Sequence, residues 1–458
     1  MALKNKIVSA DEAIAIVRDG DTMCVSGFVG IGTPDELILA LERRFLKEHQ
    51  PVNLTLVFAA APGDGKERGL NRLAHKGLIK RAVGGHWSLV PKLAELALDN
   101  EIEAYNLPLG CISHLYREIA ARRPGTITKV GLRTFVDPRE QGGKLNSVTT
   151  EDLVEVLDIG GEEWLRYKSF PINVAFIRGT TCDPNGNITM EREALTLDNL
   201  AAAMAAKNSR GFVIAQVERI AAADSLNPRE VQVPGILVDC VVLSEANNHV
   251  QTYGTPYSHA FSGRQRVPVD RIEPMDLDER KIIARRCAFE LPLGGVVNLG
   301  IGIPEGVAAV ATEERILKYV TLTAEPGIVG GIPQGGLDFG AALNPDAVIQ
   351  QISSLTFTMA AVSTSPASAW RRRTRTETST SAASAVGSRA PGDSSISRRT
   401  PRNCFSQVRS RQAASRSRSW MATSVSGAKA DRRSSSTGSS KSPSAAPMRP
   451  RPDNRYFM

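Results

Sequence analysis

Along the first 350 residues, short β-rich runs alternate with helical segments, and this alternation restricts the fold more than any other feature. The runs DTMCVSGF, NLTLVFA, INVAFIRG, GFVIAQV and ILVDCVVL have the composition of buried strands. Segments such as TPDELILALERRFLKEH and ALTLDNLAAAMAAKNS read as helices. The pattern predicts an α/β fold with parallel or mixed sheets covered by helices. Between Tyr257 and Met275 the chain turns polar and proline-containing, which predicts an interdomain connection, with a second α/β unit starting near Asp276. GIGTPDELILAL (Gly30 to Leu41) is echoed by GIGIPEGVAAVA (Gly300 to Ala311), each after a β-rich run and each opening a helix with proline in its first turn. Two related domains that arose by duplication follow from this echo: residues 1–270, and 271–351.

Past Gln351 the alternation stops, and runs such as RRRTRTETSTSAASAVGS take its place. Residues 352–458 read as a low-complexity Arg/Ser-rich tail, expected to be disordered. Charge divides at the same point. The tail holds 19 Lys and Arg against four acids, which leaves residues 1–351 at −7 within a total of +8. An acidic body makes nucleic acid an unsuitable partner for it, and only the tail offers that alternative. The six cysteines (Cys24, Cys111, Cys182, Cys240, Cys287, Cys404) form no CxxC pair and no Cys/His cluster, so neither a disulfide framework nor a metal site is expected. With no apolar run of membrane-spanning length and no signal-like N-terminus, the expectation is a soluble cytoplasmic protein with no membrane partner.

Two stretches carry chemistry. The turn Gly27-Phe-Val-Gly30-Ile-Gly32-Thr-Pro34 brings backbone N–H groups to a helix start, but its GxxGxG order differs from the dinucleotide fingerprint. It reads equally as an anion site or as a structural turn. The second stretch, VTLTAEPGIVGGIPQGG, ends an apolar strand on Glu325 and enters a glycine-rich loop. A carboxylate placed there is partly desolvated and can act as base or nucleophile, while a structural role is the competing reading. His86 in GGHW and His114 on a helical face form no triad by spacing. TTCDPNGNITMERE reads as a hairpin turn, since it lacks the calcium-loop ligand series.

DGDTMCVSGFVGIGTP and TLTAEPGIVGG resemble the N-terminal signature and the catalytic-glutamate segment of family I coenzyme A transferases. VGGHW, KVGLRTFVDPR, FPINVAFIRGTTCDPNGNIT, QVPGILVDCVV and FGAALNPDAVIQQ extend the likeness over residues 1–351, closest to the single-chain acetate or propionate type. The resemblance implies two CoA-transferase-type α/β domains and a homo-oligomer. It makes Glu325 the nucleophile of a ping-pong reaction through a glutamyl-CoA thioester, with coenzyme A as substrate and covalent intermediate and no permanently bound cofactor. Small carboxylates are the implied acceptors. Coenzyme A contact is implied at Gly300, Ile301, Gly302, Ile303 and Pro304, and a substrate pocket at Gly27, Gly30, Gly32, His86, Gly327, Gly330 and Gly331. Three residues depart from the family pattern: Leu109 where glutamine is common, Arg133 where glycine is usual, and Pro326 where serine is usual.

The resemblance also accounts for the tail. Family members continue after DAVIQQ with sequence of the kind FDFYDGGG, DGNVNVSRFG and GTFTAGGLEV, none of which is present. An adjacent reading frame can supply it. Trp420-Met421-Ala422 forces Asp-Gly in the neighbouring frame, and SLTFTMA, TETSTSAASA and FSQVRSRQAASRS can hide the three family segments in order. A one-nucleotide frameshift near codons 350–353 follows, truncating the second domain and leaving the chain weakly active or inactive. Acyl-CoA hydrolysis is the alternative activity, with water as acceptor.

Overall fold

The computed structural model describes residues 5–302 and 304–361. The first unit is a doubly wound α/β layer. Its strands are β1 (Ile7–Val8), β2 (Thr22–Val25), β3 (Leu54–Phe58), β4 (Ile79–Gly84), β5 (Glu103–Asn106), then β9 (Val174–Cys182), β11 (Phe212–Ile220) and β13 (Cys240–Leu243). They lie in the order β1-β13-β11-β9-β2-β3-β4-β5, every neighbouring pair parallel. β10 (Ile188–Thr189) folds back on β9 as an antiparallel hairpin and pairs with β12 (Val231–Val233). The Asp183–Asn187 turn of that hairpin is closed by Asp183, whose carboxylate accepts from Asn187 N at 2.9 Å. β6 (Gly125–Thr128), β7 (Val154–Ile159) and β8 (Glu162–Lys168) make a separate antiparallel sheet.

Strand alternation sends successive side chains to opposite faces, and each face meets its own helices. On one face, Met23, Val25, Leu56, Phe58, Val174 and Phe176 pack with α1 (Ala10–Ile14), α2 (Asp35–Glu48) and α3 (Pro91–Leu98). On the other, Cys24, Val57, Ala175 and Ile177 pack with α4 (Leu109–Ala120) and α5 (Asn199–Asn208). Leu37, Ile38, Leu41 and Phe45 form the stripe that seats α2, and His49 ends that helix in the left-handed conformation at φ 56°. Ser9 and Glu12 start α1 with a reciprocal capping box.

A second, smaller set of α/β elements follows. After irregular chain through residues 251–268, α6 (Glu279–Ala288) starts at Asp278, whose side chain accepts from Lys281 N. β14 (Val296–Asn298), α7 (Glu305–Glu313) and β15 (Thr321–Ala324) repeat the β2–α2–β3 order of the first unit, with β14 and β15 parallel. β16 (Ile328–Val329) and β19 (Ala347–Val348) extend this sheet antiparallel, and β17 (Ile332–Pro333) pairs with β18 (Ala342–Leu343). The two echoed prolines, Pro34 and Pro304, sit at the cap position just before α2 and α7 rather than in the first turn as expected.

The boundary expected at 351 falls inside ordered chain. Gln351–Ala361 forms α8, so the first ten residues of the expected tail are helical. Gln351 anchors this helix: its Nε2 donates to Ser113 Oγ at 2.9 Å and to Asp198 Oδ2 at 2.7 Å, all three side chains being buried. Residues 362–458, on which the expectation of a disordered tail otherwise rests, lie outside the described residues.

Candidate active site

In an open parallel sheet, the crevice for ligands lies beyond the carboxyl ends of the strands, where the strand order reverses. Here the order reverses between β2 and β9. The chain leaving β2 there is the Gly27–Pro34 turn. Phe28 and Ile31 of this turn exchange backbone hydrogen bonds at 2.9 Å, and Ser26 N just before it donates to Phe176 O. The space its glycines leave is filled too, with Thr33 and Pro62 over Gly27, Tyr253 over Gly30 and Leu197 over Gly32. The filled space at these three positions is what a structural turn requires.

The turn presents apolar side chains to the second unit. Phe28, Val29, Ile31 and Ala60 share one buried cluster with Ala324 and Ile328, the residues at either end of the β15–β16 hairpin turn, and with Phe261 and Phe339. The Phe28 and Phe339 rings lie 5.8 Å apart between centroids. Glu325 is the first residue of that hairpin turn and is thereby held at the junction of the two units. Gly327 N donates to Ala324 O at 3.2 Å to close the turn. Gly327, at φ 132°, presses against the Ile349 carbonyl, and a Cβ there would collide with it. Gly330 and Gly331 are closed off similarly, by the Asp346 carboxylate and the Leu343 and Asn344 carbonyls. Pro326 restricts Glu325 to an extended backbone.

The carboxylate of Glu325 is half-buried and has no hydrogen-bond or ion-pair partner among the described residues. Burial alone raises its pKa above the ordinary glutamate range. Two buried acids of the first unit are held differently. Asp35 is held by Arg68, Tyr253 Oη and Gly69 N. Glu193 forms a two-pronged pair with Arg178 at 3.0 and 3.1 Å and accepts from His249 Nε2; burial would raise its pKa, but the Arg178 guanidinium and the His249 hydrogen bond hold it at about 2. The lone pairs of Glu325 are thus left unused by the described residues.

His86 follows β4, its Nε2 2.8 Å from Ser88 Oγ, and burial lowers its pKa so that the ring is neutral near pH 7. Gly85 lies against the backbone of Leu109 at the start of α4, and Leu109 packs against the cluster that carries Ala324 and Ile328. His114 lies on α4 as expected, 3.3 Å from Thr356 Oγ1 of α8. Arg133 occupies a left-handed position at φ 58°, with its N–H donating to Asp137 Oδ2. The Gly300–Pro304 loop leads into α7. Gly300 and Gly302 face open space, Gly302 at φ 94°, and Ile301 is exposed; Ile303 lies outside the described residues. Glu305, the first residue of α7, holds the loop by accepting from Gly302 N at 2.8 Å.

Two groups were not found from the sequence. Arg178 is 2% exposed and ties the first-unit turn in place by donating to Thr33 O and Val250 O. Its one signal was a charged residue inside the apolar run INVAFIRG. Asp338 of the second unit accepts from Thr252 and Thr255 of the first, an arrangement without local sequence signal. Cys24, Cys182 and Cys240 form no disulfide among the described residues, and no described cluster of His, Cys, Asp or Glu could hold a metal ion. No helix among the described residues is long and apolar enough to cross a membrane.

A family model described as Coenzyme A transferase matches residues 7–244. The caffeate CoA-transferase of Acetobacterium woodii is 46% identical over 345 residues, 75% of this chain and 66% of that protein. An acetate CoA-transferase of Escherichia coli K12 is 40% identical over 353 residues, 77% of this chain and 66% of that protein. An acyl-CoA transferase of Escherichia coli O157:H7, crystallised as a thioester complex with CoA, superposes with a TM-score of 0.71 at 38% identity, covering 77% of this chain and 70% of that one. The chain belongs to the coenzyme A transferase family. It spans slightly less than two thirds of the length of the two curated relatives.

Proposed function

We propose that this chain derives from an enzyme that moves coenzyme A from a short-chain acyl-CoA to an acceptor carboxylate through a thioester on Glu325. The observation that carries this reading is the half-buried carboxylate of Glu325 at the junction of the units, without a partner among the described residues. A Glu325 oxygen attacks the thioester carbon, forming a C–O bond as the C–S bond breaks, and coenzyme A leaves as a thiolate. The thiolate then attacks the glutamyl carbonyl, expelling the acyl group as a free carboxylate and leaving glutamyl-CoA. An acceptor carboxylate runs the two steps in reverse. A carboxylate is a weak nucleophile towards a thioester, so binding energy from the remote parts of coenzyme A must lower the barrier. The open Gly300–Pro304 loop is the part of the second unit suited to receive that remote portion.

The chemistry of the surroundings favours small acceptors without charge beyond the carboxylate, such as acetate or propionate. Leu109, Leu89 and the cluster around Ala324 and Ile328 are apolar and offer no counter-charge to a second carboxylate. The frameshift near codons 350–353 belongs to the same proposal: the chain keeps Glu325 but lacks the family sequence that follows, and its turnover is weak or absent. Restoring the frame should restore activity. The test is carboxylate-dependent exchange: with acetyl-CoA and labelled propionate, a frame-restored chain should form propionyl-CoA and lose little acetyl-CoA when no acceptor is added. Acceptor-independent loss of acetyl-CoA would instead identify a hydrolase, and full turnover by the 458-residue chain would remove the frameshift from the reading.

A further inference from the structure

The repeat that relates the two units is unequal at one edge. In the first unit β2 lies inside its sheet, with β3 parallel along one side and β9 parallel along the other, and helices cover both faces. Its counterpart β14 has β15 along one side and, among the described residues, no strand along the other. Gly295 O accepts from Thr321 N, and Leu299 N donates to Thr323 O. Alternation therefore turns the N–H and C=O groups of Val296 and Asn298 towards the open edge. One face of this parallel pair is covered by Ala284, Val307, Ala308 and Val310 packing on Val297 and Leu322, while on the other, among the described residues, Thr323 is buried but Val296 and Asn298 are exposed. Phe289 is 84% exposed, Leu293 82% and Val296 40%, and Tyr319 is tied beside Leu293 by the bond from Gly294 N to Tyr319 O. Parallel sheets bury both faces, and an open apolar edge is a template for another strand.

We propose that the open edge of β14 is a docking site for a parallel apolar strand that does there what β9 does beside β2. Its occupant is a segment of the family's second domain that this chain does not match, and the edge will accept it as a separate polypeptide. Three observations select that occupant. β9 returns to β2 after about 150 residues of chain, so an equivalent strand for β14 lies well past residue 351. The relatives have about a third of their length outside the match. Residues 362–458, rich in Arg and Ser, contain no run like the fully buried VAFIRGTTC of β9. A second copy of β14 would meet the first across a two-fold axis as an antiparallel pair, contrary to the repeat. The inference rests on the family assignment and the repeat, not on the chemistry of Glu325.

The test is to co-express the 458-residue chain with a tagged polypeptide made of the part of the Escherichia coli K12 relative beyond the match. The two should co-purify one to one, with slowed amide exchange at Val296 and Asn298 and reduced binding of an apolar dye. Val296→Pro removes an open-edge donor and spares the bonds to β15; it should reduce capture at least tenfold with the circular dichroism of the chain retained. Leu293→Ser, outside any strand, should weaken capture in the same direction. Failure to co-purify, or co-purification with both amides still exchanging freely, would overturn the inference. So would slow exchange in the chain alone, which assigns the edge to its own residues or, if the chain sediments as a dimer, to a second copy. A complex that forms but does not turn over would leave the docking site intact and count against Glu325.

Discussion

Asp198 allows a stability prediction whose sign and size follow from its surroundings. Its carboxylate is buried at the end of the β9–α5 connection and is bonded to Ser113 Oγ at 2.6 Å and to Gln351 Nε2, and among the described residues it forms no ion pair. Burial raises its pKa from 3.8 to about 6, against the smaller opposing effect of these hydrogen bonds. A carboxylate whose pKa is raised on folding destabilises the folded state above that pKa, and the penalty fades as pH falls through about 6 towards 3.8. The shift corresponds to roughly 3 kcal/mol at neutral pH, of which about 1.5 kcal/mol is relieved between pH 7.5 and pH 5. Asp198→Asn removes the titration. Urea unfolding of the wild type and of this variant at both pH values should show the wild type gaining about 1.5 kcal/mol relative to the variant on acidification. Equal changes in the two proteins would show that Asp198 titrates normally, and with it that the Ser113–Asp198–Gln351 anchor of α8 is not closed to water.

Gly327→Ala places a Cβ against the Ile349 carbonyl at a backbone angle that side chains avoid, so it should cost roughly 2–4 kcal/mol and displace the Glu325 turn; thermal unfolding checks the first effect, and loss of acyl-CoA turnover in a frame-restored chain the second. Arg133→Gly removes a left-handed arginine at φ 58°, a relief of roughly 1–2 kcal/mol offset by about 0.4–1 kcal/mol of added unfolded-state freedom, so the variant should be slightly more stable. A denaturation midpoint at or below the wild-type value would contradict that. Arg178→Met leaves Glu193 as an uncompensated buried charge beside His249 and should destabilise the first unit by roughly 3–5 kcal/mol, read from the same midpoint.

The first unit was legible because its strands are buried on both faces, which writes continuous apolar runs into the sequence: NLTLVFA became β3, INVAFIRG β9 and GFVIAQV β11. The echo of Gly30 to Leu41 in Gly300 to Ala311 likewise marked two equivalent β–α units. The use of the glycines was not legible. A glycine signals close approach without saying by what, and at Gly27, Gly30, Gly32, Gly327, Gly330 and Gly331 the approaching atoms belong to this chain. Spacing also could not show that Glu325 lacks a partner among the described residues, since Asp35, Glu193 and Asp198 find theirs elsewhere in the sequence. The start of α8 was missed because Gln351 is fixed by Ser113 and Asp198 through contacts across the fold rather than by local propensity.

The central claim is that Glu325 forms a covalent bond to coenzyme A. The direct measurement is mass spectrometry of the peptide containing Glu325 after incubating a frame-restored chain with acyl-CoA and trapping without acceptor. The account predicts that this peptide gains one coenzyme A, less one water, at Glu325, and that Glu325→Gln gains nothing while retaining its fold. An unmodified Glu325 peptide in a chain that still transfers coenzyme A, or an adduct that persists in the Gln variant, would contradict it.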